Sequence, residues 1–374
     1  MTTIIGRAAM AGVVLLLAVP AAAQAPSRDF ERRIEEQARA LAKDMEEHAR
    51  AFVEAFEAQQ ARPRPPRPPR GGERGRGGPE VTERFSRTVR LDRNGTFDLS
   101  NVAGDIIVTG GGGADVQIDA IKRVRGRDEA DGKTLLQQTQ ILISETGNRV
   151  EVRTEHPREE RNLRGAAVDY TVALPQDASV ILKTVSGDLR ITNVRGELRA
   201  GTVSGDVQAS GARRLGSIST VSGDIQITDA QAEGEVSVTT VSGDQNIRGL
   251  KARGLELISV SGELLLNDVE VERVNGRTVN GNITYSGSLT RNGRYELNTH
   301  NGAIALTVST SGFNVEASTF NGDVRSDYAL TLGGNQLNSS RRGPQNRTIR
   351  GAFGDGGASL SLRSFNGDIS ITRR

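Results

Sequence analysis

A short unit, Val-Ser-Gly-Asp or a close variant, returns along the second half of this 374-residue chain at a nearly fixed spacing, and no other feature limits the fold as strongly. Its glycines are Gly187, Gly205, Gly223, Gly243, Gly262, Gly281, Gly302 and Gly322, at intervals of 18, 18, 20, 19, 19, 21 and 20 residues. A last clear copy carries Gly367, and an isolated early copy carries Gly104. Units this short cannot bury an apolar edge alone, so the period predicts a solenoid in which each unit packs only on its neighbours. Within a repeat, Gly223–Thr228 and Glu235–Thr240 alternate in polarity on either side of a turn at Asp229–Gly234. Each repeat of about 19 residues is therefore expected to make one flattened coil of two strands, and eight coils at about 4.8 Å to stack in parallel over about 40 Å.

Set in register, the repeats give columns. The position after the acid is apolar in Leu189, Val207, Ile225, Leu264, Ile283, Ile304, Val324 and Ile369, with Gln245 the exception, and this column is core. The glycines are read as structural turn positions, where a corner needs φ > 0 without steric cost. Before them stand Ser186, Ser204, Ser222, Ser242 and Ser261, then Asn280, Asn301, Asn321 and Asn366, residues that bond backbone at bends or stack in ladders. The preceding column, Val185 to Val279 and then His300, Phe320 and Phe365, conflicts with strict alternation unless the chain bends there, and a bend is expected.

The acidic column runs Asp188, Asp206, Asp224, Asp244, Glu263, Asn282, Ala303, Asp323 and Asp368. Stacked carboxylates would welcome calcium, but calcium-binding repeats space Gly and Asp more closely, and Asn and Ala interrupt this row, so it reads as turn-forming acids facing water. The Thr column (Thr184, Thr202, Thr220, Thr240, Thr278, Thr299 and Thr319) offers one Thr per coil with Ser259 among them, a poor basis for an ice-binding face. The three histidines, His48, His156 and His300, join no constellation of ligands or nucleophiles. No catalytic, cofactor-binding or metal-binding residue is assigned. With no Cys in the chain, thiolate sites and disulfides are excluded.

The remaining segments differ in kind. Residues 1–23 read as a signal peptide, with Arg7, an apolar run from Ala8 to Val19, Pro20 and the small residues Ala21–Ala23, so that the mature chain begins near Gln24. Residues 24–61 carry an amphipathic helical pattern with Phe30, Ile34, Leu41, Met45, Phe52 and Phe56 on one stripe, and self-association through residues 27–60 is one use for it. Residues 62–80 form an Arg/Pro/Gly-rich linker, expected to be disordered. The net charge of +2 conceals −3 over residues 27–61 and +5 over residues 62–79, leaving about −1 for residues 80–374, so no nucleic-acid partner is expected. Residues 81–182 show strand patterns without a clean repeat (85–99, 105–109, 115–121, 141–144, 149–154 and 168–174) and a short helical stretch at 128–138; they read as an N-terminal cap and lead-in strands for the solenoid of residues 183–374. The 45 residues from Gly322 to Gly367 suit two coils plus an insertion, with Asn338–Arg347 as its protruding loop.

The tandem Thr-Val-Ser-Gly-Asp and Phe-Asn-Gly-Asp copies, preceded by Tyr170–Pro175 and Ser179–Lys183, resemble the bacterial putative-adhesin family known as domain of unknown function 4097, over about residues 85–374. The resemblance implies an all-β, parallel β-helix-like solenoid of the cell envelope, and it brings no catalytic residues. The function expected is a non-enzymatic exported interaction or structural module, periplasmic, surface-held or secreted, whose partner is an envelope or surface glycan or protein. A carbohydrate-active β-helix enzyme, or an envelope sensor or scaffold oligomerised through the N-terminal helix, are the alternatives.

Overall fold

The computed structural model describes residues 79–92, 94–111, 113–155, 166–310, 312–332 and 347–374. The signal segment, the amphipathic stretch, nearly all of the linker and the expected loop apart from Arg347 lie outside the described residues. Among these residues no helix is long and apolar enough to cross a membrane.

The chain opens with β1 (Glu80–Arg90), β2 (Thr96–Ser100), β3 (Ile106–Gly111) and β4 (Asp115–Arg125), so the pattern at 85–99 is two strands rather than one. The helical stretch at 128–138 forms α1 (Glu129–Gln138), capped by Asp128, whose Oδ1 accepts the Asp131 amide at 2.8 Å. There follow β5 (Gln140–Thr146), β6 (Arg149–Glu155) and β7 (Ala166–Pro175). The regular coils are then β8 (Ser179–Lys183) with β9 (Leu189–Thr192), β10 (Glu197–Gly201) with β11 (Val207–Ser210), and β12 (Arg214–Ser219) with β13 (Ile225–Thr228). They continue as β14 (Glu235–Thr239) with β15 (Gln245–Arg248), β16 (Lys251–Ile258) with β17 (Leu264–Asn267), β18 (Glu270–Asn280) with β19 (Ile283–Ser288), and β20 (Arg294–Asn301) with β21 (Ile304–Ser309). The chain closes with β22 (Gly312–Asn321), β23 (Val324–Ser326), β24 (Thr331–Leu332), β25 (Arg347–Gly354), β26 (Ala358–Asn366) and β27 (Ile369–Arg373).

Two facing sheets result, of 13 and 14 strands, and one strand of each makes a coil. From β8 to β21 every coil pairs in parallel with the next in chain order, at registers set by the repeat: Val207 lies beside Leu189 and Ile225 beside Val207. The core between the sheets is a file of Val, Ile and Leu at 0–2% exposure, including Leu189, Val207, Ile225, Leu264, Ile283 and Ile304. Each such side chain contributes roughly 1.5–3 kcal/mol of transfer free energy, and stacking lets a thin layer per coil add up to one continuous core.

At both ends the order of the chain and the order of the stack part company. The early copy at Gly104 is not isolated: β2 and β3 form a coil directly beneath β8 and β9, and β6 with β7 form a further coil beneath that one. At the other end, β26 and β27, the last strands of the chain, lie between the β20–β21 coil and the β22–β23 coil. The stack thus holds eleven coils, about 48 Å over ten steps. Antiparallel strands close three of its four edges, with β4 and β1 beyond β7, β5 beside β6, and β25 and β24 beyond β22, and the parallel β23 is the fourth edge. The long interval between Gly322 and Gly367 holds this closing hairpin, after which the chain turns back into the stack.

Candidate functional site

The repeated corner between the sheets is built around a column of glycines in van der Waals contact. A Cβ on Gly205 would lie 2.2 Å from the Gly187 carbonyl oxygen, and one on Gly223, Gly243, Gly262 or Gly281 would lie 1.9–2.0 Å from the oxygen of the glycine before it. Gly187 stands in the same way on Gly104, Gly302 on Gly281, Gly367 on Gly302 and Gly322 on Gly367. Seven of the nine predicted turn glycines also have φ between 141° and 159°; Gly281 and Gly322 do not fall in that range, so the close approach is what the whole column shares.

Those inward carbonyls explain the Thr column. Thr202 Oγ1 donates to Gly187 O at 3.3 Å, Thr220 to Gly205 O at 3.1 Å, Thr299 to Gly281 O at 2.9 Å and Thr319 to Gly367 O at 2.8 Å, with Ser364 doing the same for Gly302 O. All of these hydroxyl residues are buried, so they form no outer face of any kind. Where Ser259 takes the place of Thr, its hydroxyl has no partner; beside it the core exception Gln245 gives Nε2 to Ile258 O at 2.7 Å and leaves Oε1 unpaired.

The acids face water and are also bonded. Asp188 Oδ1 accepts the Asp206 amide at 2.9 Å, Asp206 that of Asp224 at 2.8 Å, Asp224 that of Asp244 at 2.8 Å, and Asp244 that of Glu263 at 2.8 Å. Each carboxylate therefore satisfies an amide that the corner leaves outside the strand ladder. The row is interrupted at Glu263, where Asn282 Nδ2 meets Glu263 Oε1 instead; Asn282 Oδ1 resumes it by accepting the Ala303 amide at 2.9 Å, Ala303 offers no acceptor to the next coil, and Asp368 Oδ1 accepts the Asp323 amide at 2.8 Å. Among the described residues no group of three metal-ligating side chains converges.

One further column runs along this corner. The chain bends at Val185, Val203, Val221, Val241 and Val260, whereas Val279, His300, Phe365 and Phe320 lie within β18, β20, β26 and β22; the six valines sit half-buried in an outward stripe that ends in His300, Phe365 and Phe320. These rings stack in spatial rather than chain order: His300 on Phe365 with centroids 4.8 Å apart, and Phe365 on Phe320 at 4.9 Å with planes 5° apart. Next to them runs an amide ladder in which Asn301 donates to Asn280 at 2.9 Å, Asn366 to Asn301 at 2.8 Å and Asn321 to Asn366 at 2.8 Å. Among the described residues no donor is recorded for Asn321 Oδ1, the last amide oxygen of the ladder. Sequence columns point to every one of these residues, but the adjacency of Phe320 and Phe365 depends on the reordered last coil.

The opposite corner carries a second special column that the sequence reading passed over. Asn193, Gly211, Asp229, Gly249 and Asp268 occupy equivalent positions with φ of 59°, 67°, 52°, 66° and 51°. Only Gly, Asn and Asp enter that left-handed region readily, and the alternation has its own cause: a Cβ on Gly211 would meet Asn193 Oδ1 at 2.6 Å, and one on Gly249 would meet Asp229 Oδ1 at 2.7 Å. The signal was available, since these residues recur at the repeat interval. It was hidden by their change of type from coil to coil.

The family model described as Toastrack DUF4097 matches residues 105–372. Comparison with curated proteins finds no match. Among solved structures, a putative adhesin from Bacteroides fragilis NCTC 9343 resembles the chain at 12% identity and a TM-score of 0.39, covering 78% of this chain and 97% of that one. A putative lipid binding protein from Parabacteroides distasonis ATCC 8503 does so at 12% identity and a TM-score of 0.42, covering 77% and 96%. A putative cell adhesion protein from Clostridium sporogenes ATCC 15579 does so at 10% identity and a TM-score of 0.20, covering 78% and 100%.

Proposed function

The chain belongs to the Toastrack family, DUF4097, and from that premise we propose that it is a non-enzymatic, exported protein of the cell envelope, an adhesin-like solenoid that acts as an interaction or structural module. One observation carries the reading. At the repeated corner the Thr, Gly and Asp columns are consumed in coil-to-coil bonds, whereas the Val stripe with its His300–Phe365–Phe320 stack and the adjoining Asn ladder remain at the surface. A periodic edge of this kind suits an extended partner, an envelope glycan or protein, better than a small substrate. Aromatic rings supply apolar contact area at low entropic cost, and side-chain amides supply adaptable hydrogen bonds.

Residues 1–23 act in this reading as the export signal and residues 24–80 as a helix and spacer ahead of the solenoid. The test is capture of envelope fractions (lipopolysaccharide, peptidoglycan, other glycans and membrane proteins) by the full mature chain, by the chain lacking residues 27–79, and by Phe320→Ala/Phe365→Ala. Capture that survives the deletion and falls at least tenfold in the double variant is the expected result. Capture lost with the deletion and untouched by the double variant would move recognition off the solenoid and refute the assignment.

A further inference from the structure

The second corner bears a charge pattern that the fold does not use. Arg195 and Arg213 directly follow the buried Val194 and Ala212 in adjacent coils, and the parallel register stacks them about 4.8 Å apart. Some arginines elsewhere meet acids, Arg199 with Glu197, Arg153 with Glu151, Arg149 with Asp98, and Arg350 with Glu316 at 2.8 Å, while others such as Arg248 and Arg253 have no ion pair among the described residues. Among the described residues neither Arg195 nor Arg213 has a carboxylate within ion-pair distance. Arg214, the next residue, turns its Nε to Arg195 O at 3.3 Å and adds a third cation.

Arg195 and Arg213 wall a recess of about 350 Å³ completed by Gln176, Asn193, Gly211 and Asp229. Its shape follows from the left-handed corner: Asn193 leans over Gly211, with its Oδ1 2.6 Å from where a Cβ on that glycine would stand, so the bare glycine backbone lies beneath it. Two guanidinium groups and two primary amides outnumber the one carboxylate, Asp229. Adjacent guanidiniums with amide donors suit an oxyanion, because each planar fork can give two parallel N–H bonds to it.

We propose that this recess binds a single oxyanion, the carboxylate or phosphate ester of an envelope polymer. The choice of polymer rests on the function proposed above, but the site itself can be tested without it. The full mature chain, labelled with ¹⁵N, is titrated at low salt with inorganic phosphate and separately with trigalacturonate, following the Asn193, Gly211 and Arg213 amides. Saturable shifts at these amides are expected. Arg195→Gln/Arg213→Gln should weaken them at least tenfold, Arg213→Lys less than that, and Arg199→Gln, at a paired arginine, not at all.

Shifts with phosphate alone, or with trigalacturonate alone, identify which oxyanion source the recess accepts. No shift at these amides with either probe, or shifts unchanged in the double variant while core amides report an intact fold, would overturn the proposal. Arginines of residues 62–76 also attract anions but produce no saturable change at Asn193 or Gly211. Loss of the recess with envelope capture intact leaves the aromatic edge as the recognition surface, and the reverse outcome leaves the recess standing alone.

Discussion

Replacing Gly223 by alanine and, separately, Gly234 by alanine adds the same methyl group at two points of one coil, with opposite surroundings. At Gly223 the new Cβ would lie 2.0 Å from Gly205 O and 2.5 Å from its carbonyl carbon, at φ 148°; at Gly234 nothing stands within 4 Å. A tolerable Cβ–O contact is about 3.2 Å, so the two coils must part locally by about 1.2 Å, a quarter of their spacing. Across that seam run Ser222 N to Val203 O at 2.9 Å, Gly205 N to Ser222 O at 2.9 Å, Val207 N to Asp224 O at 2.9 Å and Asp224 N to Asp206 Oδ1 at 2.8 Å. Stretching about three of them beyond bonding range costs about 1 kcal/mol each, and the strained φ adds about 1–2 kcal/mol. Gly223→Ala is therefore expected to lose about 4–5 kcal/mol and Gly234→Ala less than about 1 kcal/mol. Urea unfolding gives the totals, and amide exchange at Ser222, Val207 and Asp224 tests the location. Equal costs for the two variants, or undiminished protection at those amides, would refute the contact-based account of the glycine column.

Three further outcomes follow from the same bonds. Thr299→Val removes the hydroxyl that caps buried Gly281 O and should cost about 1–3 kcal/mol, whereas Thr184→Val, at a buried hydroxyl with no partner, should be neutral or stabilising in the same urea assay. The buried Tyr170 phenol, bonded to Thr154 Oγ1, has its pKa pushed up to about 12, mainly by burial. Its folded pKa lies above the ordinary value of about 10, so this contribution is whole below pH 10 and is lost as pH rises towards 12, about 2–3 kcal/mol in all; Tyr170→Phe should flatten the decline of urea stability over that window, and parallel profiles would contradict this. Deleting residues 357–374 removes β26 and β27 and leaves the coils on either side without a shared neighbour, so amide protection should be lost at Ile304 and Leu306 as well as in β22; protection retained at Ile304 would argue that β21 does not need the inserted coil.

Much of the architecture is legible in the sequence because the solenoid's contacts repeat at its own interval. The two strands per coil, the apolar column from Leu189 to Ile369 and the bend at Val185 to Val260 follow from alternation and punctuation in a single repeat, but from Val279 onward the strand runs on through that column instead of bending. What lies between coils is less visible. The Thr column looks like a surface feature until its acceptor, a glycine carbonyl in the preceding coil, is known, and Asp206 looks like a solvated turn acid until its bond to the Asp224 amide is seen. The order of coils at the ends was not legible at all: nothing local in the copy around Gly367 says that it stacks on Gly302 rather than on Gly322. Strand register between distant segments is a property of the whole stack. The recess at Arg195 and Arg213 was missed for a related reason, since its residues matter only as neighbours across coils.

The out-of-order closure at both ends bears on how such a chain can change length in evolution. Antiparallel strands cap β7, β6 and β22, so that of the four sheet edges only β23 ends the stack as a parallel strand, and the last coil is already locked between two earlier ones. Duplication or loss acts most simply inside residues 179–309, where chain order and stack order agree and each gain or loss of about 19 residues restores the same ladder. Relatives of different length should then vary in the middle of the solenoid and share its ends, so that the distance from the Arg195 recess to the aromatic edge becomes the quantity selection can adjust, one coil at a time.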